Sequence, residues 1–393
     1  MIRKTRLFTP GPTPLLPSAQ LAMAGATMHH RTAEFRALYT RVLADLKTFV
    51  GTQNDVVMFT ASGTGAMEAA VSNLTSPGDK VLVVSAGKFG ERWEGLAKIF
   101  GCEVETVRAP YGETITPQQV REQLKPEHKA LYMQATESST GARHDVQGIA
   151  RALKGTDTLL VIDAITGLGT THFDVDGWGV DVIIGGSQKA VMIPPGLAYC
   201  SVSDRAWQRM ETAKNPRYYF DLRKERKNGA KGESSYTPST ALVAALAAAL
   251  DYIREQGNGD LAAGRKVLVD NAETAAAMTR AAAKALGLKL FAASSPGAAL
   301  TAVTSPDGMD SGKIVKAFRN RFAAVVADGQ GEMKGKLFRI AHLGLYDYLD
   351  TIAVIGALEH VLAELERPVE LGAGLRAAQL VYAEAHETLA VAR

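Results

Sequence analysis

Only two cysteines occur in 393 residues, Cys102 and Cys200, and both stand in apolar, strand-like surroundings. That excludes a disulfide framework. With no Cys or His cluster, it also leaves an iron–sulfur, nickel or other metal centre without ligands. Two buried thiols in a reducing cytoplasm are what remains. An excess of one charge is missing too: 44 Lys and Arg against 41 Asp and Glu leave +3, too little to argue for a nucleic-acid or membrane partner. No apolar run is long enough to span a bilayer, and Met1-Ile2-Arg3-Lys4-Thr5-Arg6 leads into Leu7-Phe8-Thr9-Pro10 without a signal-type apolar stretch. A cytoplasmic location follows as the expectation. Two phosphate signatures are absent: Gly63-Thr64-Gly65 lacks the third glycine of a dinucleotide fingerprint, and no Gly-Lys-Ser/Thr follows it to make a Walker A loop. No internal repeat is evident.

What is present describes a globular protein: 46% hydrophobic residues, 22% charged and a mean hydropathy of −0.02. The length exceeds one typical core, so two domains are expected. Between about residues 37 and 204, helical stretches such as 35–50, 66–74 and 91–100 alternate with short strands at 81–84, 103–107, 130–133, 159–162, 181–184 and 198–202. That alternation predicts an α/β fold with a mostly parallel sheet covered by helices. The hydrophilic stretch 217–231, centred on Arg223-Lys224-Glu225-Arg226-Lys227-Asn228-Gly229, reads as a mobile solvated loop. Residues 241–256 and 260–286 read as long Ala-rich helices, after which strands return with helices at 311–322 and 350–366. The expected layout is an N-terminal segment 1–16 contributing to the active site or small domain, a large domain 17–257, a small domain 258–367 and an extra helix in 368–393.

Three segments carry chemistry. Lys189 follows Val182-Ile183-Ile184-Gly185-Gly186-Ser187-Gln188, which puts it at the mouth of a buried strand. Partial desolvation there keeps an amine nucleophilic and able to form a Schiff base, and pyridoxal phosphate is the commonest protein-bound aldehyde cofactor. A solvated surface lysine is the alternative. Asp163 closes Thr158-Leu159-Leu160-Val161-Ile162, an unbroken apolar run marking a strand covered on both faces. Carboxyl ends of such strands are where open α/β sheets bind ligands. Alternatively, Asp163 caps the loop Ala164-Ile165-Thr166-Gly167. Third, Thr60-Ala61-Ser62-Gly63-Thr64-Gly65 opens a helix after Val56-Val57-Met58-Phe59. Small residues at a helix start present backbone N–H groups to an anion such as phosphate, although Ser62 or Thr64 as an ordinary N-cap explains them equally well.

Along the chain stand Phe8-Thr9-Pro10-Gly11-Pro12-Thr13, His30-Arg31-Thr32-Ala33-Glu34-Phe35, Ser62-Gly63-Thr64-Gly65, Lys88-Phe89-Gly90-Glu91-Arg92 and Glu137-Ser138-Ser139-Thr140-Gly141. Asp163-Ala164, Gly186-Ser187-Gln188-Lys189, Tyr236-Thr237-Pro238 and Phe338-Arg339-Ile340 complete the series. In this order and spacing, over about residues 7–365, the chain resembles the class V aminotransferases of pyridoxal-phosphate fold type I, in the serine–pyruvate and alanine–glyoxylate branch. The resemblance implies a large domain built on a mostly parallel seven-stranded sheet and a smaller C-terminal α+β domain. It makes Lys189 the Schiff-base lysine and proton shuttle, and Asp163 the partner of the pyridine nitrogen. Ser62, Gly63, Thr64 and Gln188 become the phosphate cup.

Phe89 matches the aromatic ring stacked on the cofactor, where many relatives have tryptophan; a plain core aromatic is its alternative. Ser138 matches a residue near the cofactor's ring hydroxyl, with turn chemistry as competitor, and Ile165 packs the other ring face. Thr237, and Ser234 where relatives often have tyrosine, match a segment that reaches the neighbouring subunit's phosphate, which implies a homodimer with shared sites. Arg339, in an alternating strand, offers a planar fork matching the substrate's α-carboxylate; an edge-strand arginine paired with a surface acid is the alternative.

Apart from Arg339, the sequence offers no obvious second fork for a side-chain carboxylate. That favours ping-pong transfer between alanine or serine and glyoxylate or pyruvate. His30-Arg31 resembles a pair that meets the substrate phosphate in phosphoserine aminotransferases, so a phosphorylated substrate ranks second and a phosphonate third. A cysteine desulfurase needs a reactive cysteine near its C-terminus, and none follows Cys200. Some relatives of this branch are labelled soluble-hydrogenase subunits, a role for which this chain lacks metal ligands. A nicotinamide dehydrogenase lacks its glycine fingerprint.

Overall fold

The structure, a computed structural model, describes residues 2–25 and 28–391, with side chains up to residue 385. Its larger sheet has seven strands in the order Asp55–Phe59, Ala198–Val202, Val182–Gly186, Leu159–Asp163, Ala130–Gln134, Lys80–Ser85 and Glu103–Arg108. The pairings from Val182–Gly186 to Glu103–Arg108 are parallel, while Ala198–Val202 runs antiparallel to both its neighbours. The mostly parallel α/β sheet expected from the sequence is therefore present. Central strands are buried at every position because helices cover both faces, which is why they read as unbroken apolar runs. Successive side chains alternate between two cores. Met133, Ile162 and Ile183 face the one containing Phe35, Tyr39 and Leu246. Tyr132, Val161 and Val182 face the one containing Ala66, Met67 and Trp93.

The parallel strands end on one edge, and the helices Gly63–Leu74 and Lys88–Ile99 begin there. Both start three residues earlier than the sequence pattern indicates. Gly63, Gly65 and Gly90 are weak helix formers, so the apolar periodicity becomes visible only after the first turn.

A second sheet of four strands has the order Arg6–Phe8, Ala324–Asp328, Leu337–Ala341 and Leu300–Thr304. The N-terminal strand pairs in parallel with Ala324–Asp328, carrying the following Thr9–Thr13 stretch toward the larger sheet. Phe8, Phe318, Phe338 and Leu358 lie in one core beneath this sheet. The helix Ala373–Val391 packs on Leu261–Ala285 and Tyr348–Glu364. Its entry is held by the buried Glu359 carboxylate, which accepts from the N–H groups of Gly372 and Leu375.

One expectation is overturned. Residues 217–231 are not a solvated loop but contain the helix Leu222–Gly229, capped by the Asp221 carboxylate. Leu222 and Glu225 turn inward, with Leu222 N–H donating to Asn73 Oδ1 at 3.1 Å and Glu225 accepting from Ser235 N–H at 3.1 Å. Two buried positions three apart suffice to dock a short helix. In the sequence they are hidden by six charged neighbours around them, Asp221, Arg223, Lys224, Arg226, Lys227 and Lys231.

Candidate active site

At the carboxyl edge of the seven-stranded sheet lies a cavity of about 280 Å³. It gathers residues from five separate stretches of chain: Ser62, Gly63 and Thr64; Phe89; Ser138; Asp163 and Ile165; Gln188 and Lys189. Gly11, Arg92 and Thr136, to which the sequence reading gave no role, line it too.

Lys189 is 9% exposed, and its Nζ donates to the Pro10 carbonyl. The N-terminal segment lies directly over this amine. Gly11 has φ +133°, and a Cβ there would sit 2.6 Å from Lys189 Nζ. Only glycine fits that backbone and that contact. Thr13 ties the segment down, its Oγ1 donating to the Lys189 carbonyl at 3.0 Å. Burial lowers the Lys189 amine to about 8; Asp163 opposes the shift, while Arg339 and Arg92 add to it. The same burial pushes Asp163 up to about 6, against the pull of the Ile165 N–H at 2.9 Å and the charges of Lys189 and Arg92. Proton affinities moved toward each other by a shared environment are typical of functional sites.

Ser62 occupies the N-cap of Gly63–Leu74, yet its hydroxyl makes no capping bond; the Gly65 N–H turns back to the Ser62 carbonyl, which leaves the hydroxyl and the Gly63 and Thr64 N–H groups for an anion. A Cβ on Gly63 would lie 2.2 Å from Ile165 Cδ1, so a side chain in this turn would have to displace the isoleucine from the cavity wall. Phe89 is in the first turn of Lys88–Ile99, whose cap is Gly87 and therefore has no side chain. The cap is supplied from elsewhere: Glu137 Oε2 accepts from Phe89 N–H at 3.0 Å and Gly90 N–H at 3.3 Å, and Oε1 accepts from Ser139 N–H and Oγ. Burial raises the Glu137 carboxyl above its ordinary range, opposed by these hydrogen bonds. Glu137 opens the segment Glu137-Ser138-Ser139-Thr140-Gly141, but its clamp on Phe89 spans 48 residues and leaves no local signal.

The expectation that no second fork exists is corrected by Arg92. Its guanidinium carbon lies 4.7 Å from the Phe89 ring centroid, and it donates to Thr64 Oγ1 at 3.0 Å. On the sequence it is one more polar residue of an amphipathic helix. Three positions after Phe89, however, it lies on the same helical face.

Arg339 does not line the cavity. It is buried behind Ser138, donating to the Ser138 carbonyl at 2.7 Å and to the Asp328 carbonyl at 2.6 Å. Burial lowers it to about 10, opposed by Glu137 and Asp328. Ser234 and Thr237 are not brought to Ser62 within one chain; they line a separate recess with Thr60, Tyr219 and Tyr236. His30 and Arg31 also lie outside the cavity, Arg31 pairing with Glu233 at 3.8 Å.

The sequence profile of the family described as Aminotransferase class-V matches residues 18–277. The chain is a class V aminotransferase. This aminotransferase is similar to the soluble hydrogenase 42 kDa subunit of Anabaena cylindrica, with 41% identity over 388 residues covering 96% of this chain and 99% of that one. It is 34% identical over 391 residues to the L-aspartate–glyoxylate aminotransferase of Paracoccus denitrificans, covering 97% of both. A solved aspartate aminotransferase of subgroup IV from Thermus thermophilus matches with a TM-score of 0.84 and 35% identity, covering 91% of this chain and 99% of that one.

Pyridoxal phosphate is the cofactor of this family, and the aminotransferase's cavity fits it. Its lining offers an amine and a carboxyl, a helix start for the phosphate, and two apolar side chains, Phe89 and Ile165, for the ring. Two buried oxygens on its lining, Gln188 Oε1 and Thr136 Oγ1, have no protein partner and stand ready for a polar ligand. Among the described residues of the aminotransferase, no group of three or more His, Cys, Asp or Glu is arranged to hold a metal ion.

Proposed function

We propose that this aminotransferase transfers the amino group of a small amino acid, alanine or serine, to glyoxylate or pyruvate, as a cytoplasmic homodimer with ping-pong turnover. One observation carries the proposal: Lys189 and Asp163 line the same cavity, with the amine lowered to about 8 and the carboxyl raised to about 6. Bound there, pyridoxal phosphate supplies the aldehyde and the electron sink. The chain supplies position and protons. Lys189 Nζ is the attachment point and, once released, the base and then acid that carries the substrate's α-proton. Asp163 is ionised at neutral pH and holds the ring nitrogen protonated. Ser62, Gly63, Thr64 and Gln188 hold the phosphate, joined by Thr237 and Ser234 of a second copy. Phe89 and Ile165 confine the ring between them, and Ser138 meets its hydroxyl. Arg339 receives the α-carboxylate once the Ser138 and Asp328 carbonyls that its buried fork engages give way, since it lies behind Ser138 and not on the cavity wall.

Arg92 favours one second reading, an acidic donor such as aspartate whose side-chain carboxylate meets that guanidinium. A panel of alanine, serine and aspartate against glyoxylate, pyruvate and 2-oxoglutarate separates the two. Preference for a neutral donor, unchanged in Arg92→Leu, supports the first; preference for aspartate, lost in Arg92→Leu, supports the second. Lys189→Ala is expected to lower turnover on any pair by about 10³-fold or more. Near-normal rates in that variant would refute the proposed chemistry.

A further inference from the structure

The strand Ala130–Gln134 lies parallel to Leu159–Asp163, and their last residues are ladder partners, Gln134 opposite Asp163. Neighbours in register project to the same face of a sheet, roughly 5 Å apart. The face is identified two residues earlier, where Tyr132 and Val161 both enter the core shared with the helices that open at the cavity. Gln134 therefore stands beside Asp163 on the cofactor side. Its carboxamide is 0% exposed, and neither Oε1 nor Nε2 has a hydrogen-bond partner. Two residues on, Thr136 lines the cavity itself, 5% exposed, and its hydroxyl is unpartnered as well. A folded chain gains nothing from an orphaned amide in its interior; a methionine of similar size would serve the fold better. Asp163, for its part, has one fixed donor, the Ile165 N–H on Oδ1.

We propose that Gln134 and Thr136 are positioning residues for the cofactor site: with the cofactor bound, the Gln134 carboxamide donates to the Asp163 carboxylate, directly or through one buried water, and the Thr136 hydroxyl completes the cavity edge beside it. A second donor favours the ionised carboxylate, the form able to pair with a protonated ring nitrogen, and so counters the effect of burial. The polar atoms that lack a protein partner are then kept at the expense of stability because they hold the carboxylate in place. This inference rests on Asp163 as the partner of the ring nitrogen, so its test includes that residue.

The experiment is a titration of the cofactor-free protein with pyridoxal phosphate, followed by visible absorbance and tryptophan fluorescence, with thermal melting of each cofactor-free variant. Gln134→Met is expected to bind the cofactor about 10-fold more weakly while melting at or above the wild-type temperature. Thr136→Val is expected to weaken binding about 3-fold or more, which keeps the test open if Gln134→Met fails to fold. In an Asp163→Asn background, Gln134→Met adds little further loss, because the two act through one contact. Wild-type cofactor affinity in Gln134→Met, or a lowered melting point that accounts for the loss, overturns the inference while Asp163→Asn still binds weakly. Wild-type affinity in Asp163→Asn overturns the assignment of Asp163 and this inference with it.

Discussion

Burial acts on Lys189 and Asp163 in opposite senses, disfavouring the cation of one and the anion of the other. The Asp163 carboxyl, raised to about 6 from an ordinary 3.8, makes the cofactor-free fold pH-dependent. Between those values the unfolded chain has lost a proton that the folded chain keeps, so this group's contribution to stability falls as pH rises from 4 to 6 and stays low above. Asp163→Asn removes that penalty. At pH 7 the cofactor-free variant is expected to be more stable than wild type by on the order of 1–3 kcal/mol, a difference that shrinks toward zero near pH 4. Chemical denaturation of both proteins at the two pH values checks this, and equal stability at both would refute it. The placement of Asp163 and Lys189 was legible in the sequence because Asp163 closes an unbroken apolar run and Lys189 stands just beyond another, behind two glycines. Gln134 closes such a run too, Ala130-Leu131-Tyr132-Met133, but a glutamine at a strand end has no chemistry of its own until its neighbour is known. Arg92 and Glu137 were visible as letters of motifs and silent about contacts made across 28 and 48 residues.

Secondary-structure elements meet at this site through their ends, and the ends were the least legible part. Strand interiors announce themselves by being apolar throughout. The first turns of Gly63–Leu74 and Lys88–Ile99 hold glycines where neighbouring side chains and backbone come close to them, and glycine erases the helical pattern. Lys88–Ile99 shows how such an end is repaired from outside, with Glu137 taking the place of a cap residue. Glu137→Gln keeps one carbonyl oxygen for the Phe89 and Gly90 N–H groups but turns an amide N–H toward that of Ser139. A buried donor facing a donor costs about 1–3 kcal/mol. The variant is therefore expected to melt several degrees lower. The cofactor should also dissociate faster, because Phe89 rides on the loosened turn. A melting curve and a cofactor off-rate test both, and an unchanged off-rate with lowered stability would confine Glu137 to a structural role. The helix Leu222–Gly229 was missed for a different reason: its docking rests on two inward residues, too few to register against the surrounding charge.

The two sheets are joined over the cavity by the N-terminal chain, whose strand Arg6–Phe8 belongs to the smaller one while Pro10 and Gly11 cover Lys189 of the larger. One chain thus builds nearly the full proposed site, except that Ser234 and Thr237 face another recess, beside the exposed Tyr218 and Tyr219, the latter stacked on Tyr236 at 4.9 Å. If those residues serve the phosphate of a second copy, complementation must follow a definite rule. Lys189→Ala chains keep Thr237, and Thr237→Ala chains keep Lys189. In a mixed dimer one site combines both defects and the other combines both intact residues. Random exchange of equal amounts should therefore restore wild-type cofactor affinity to about a quarter of the sites, with turnover in proportion. Were Thr237 to act within its own chain, every site holding Lys189 would still carry the Thr237 defect, and mixing would restore nothing. Activity measured at a cofactor concentration too low to saturate the Thr237→Ala homodimer distinguishes the two arrangements, since only an intact composite site stays loaded under that condition.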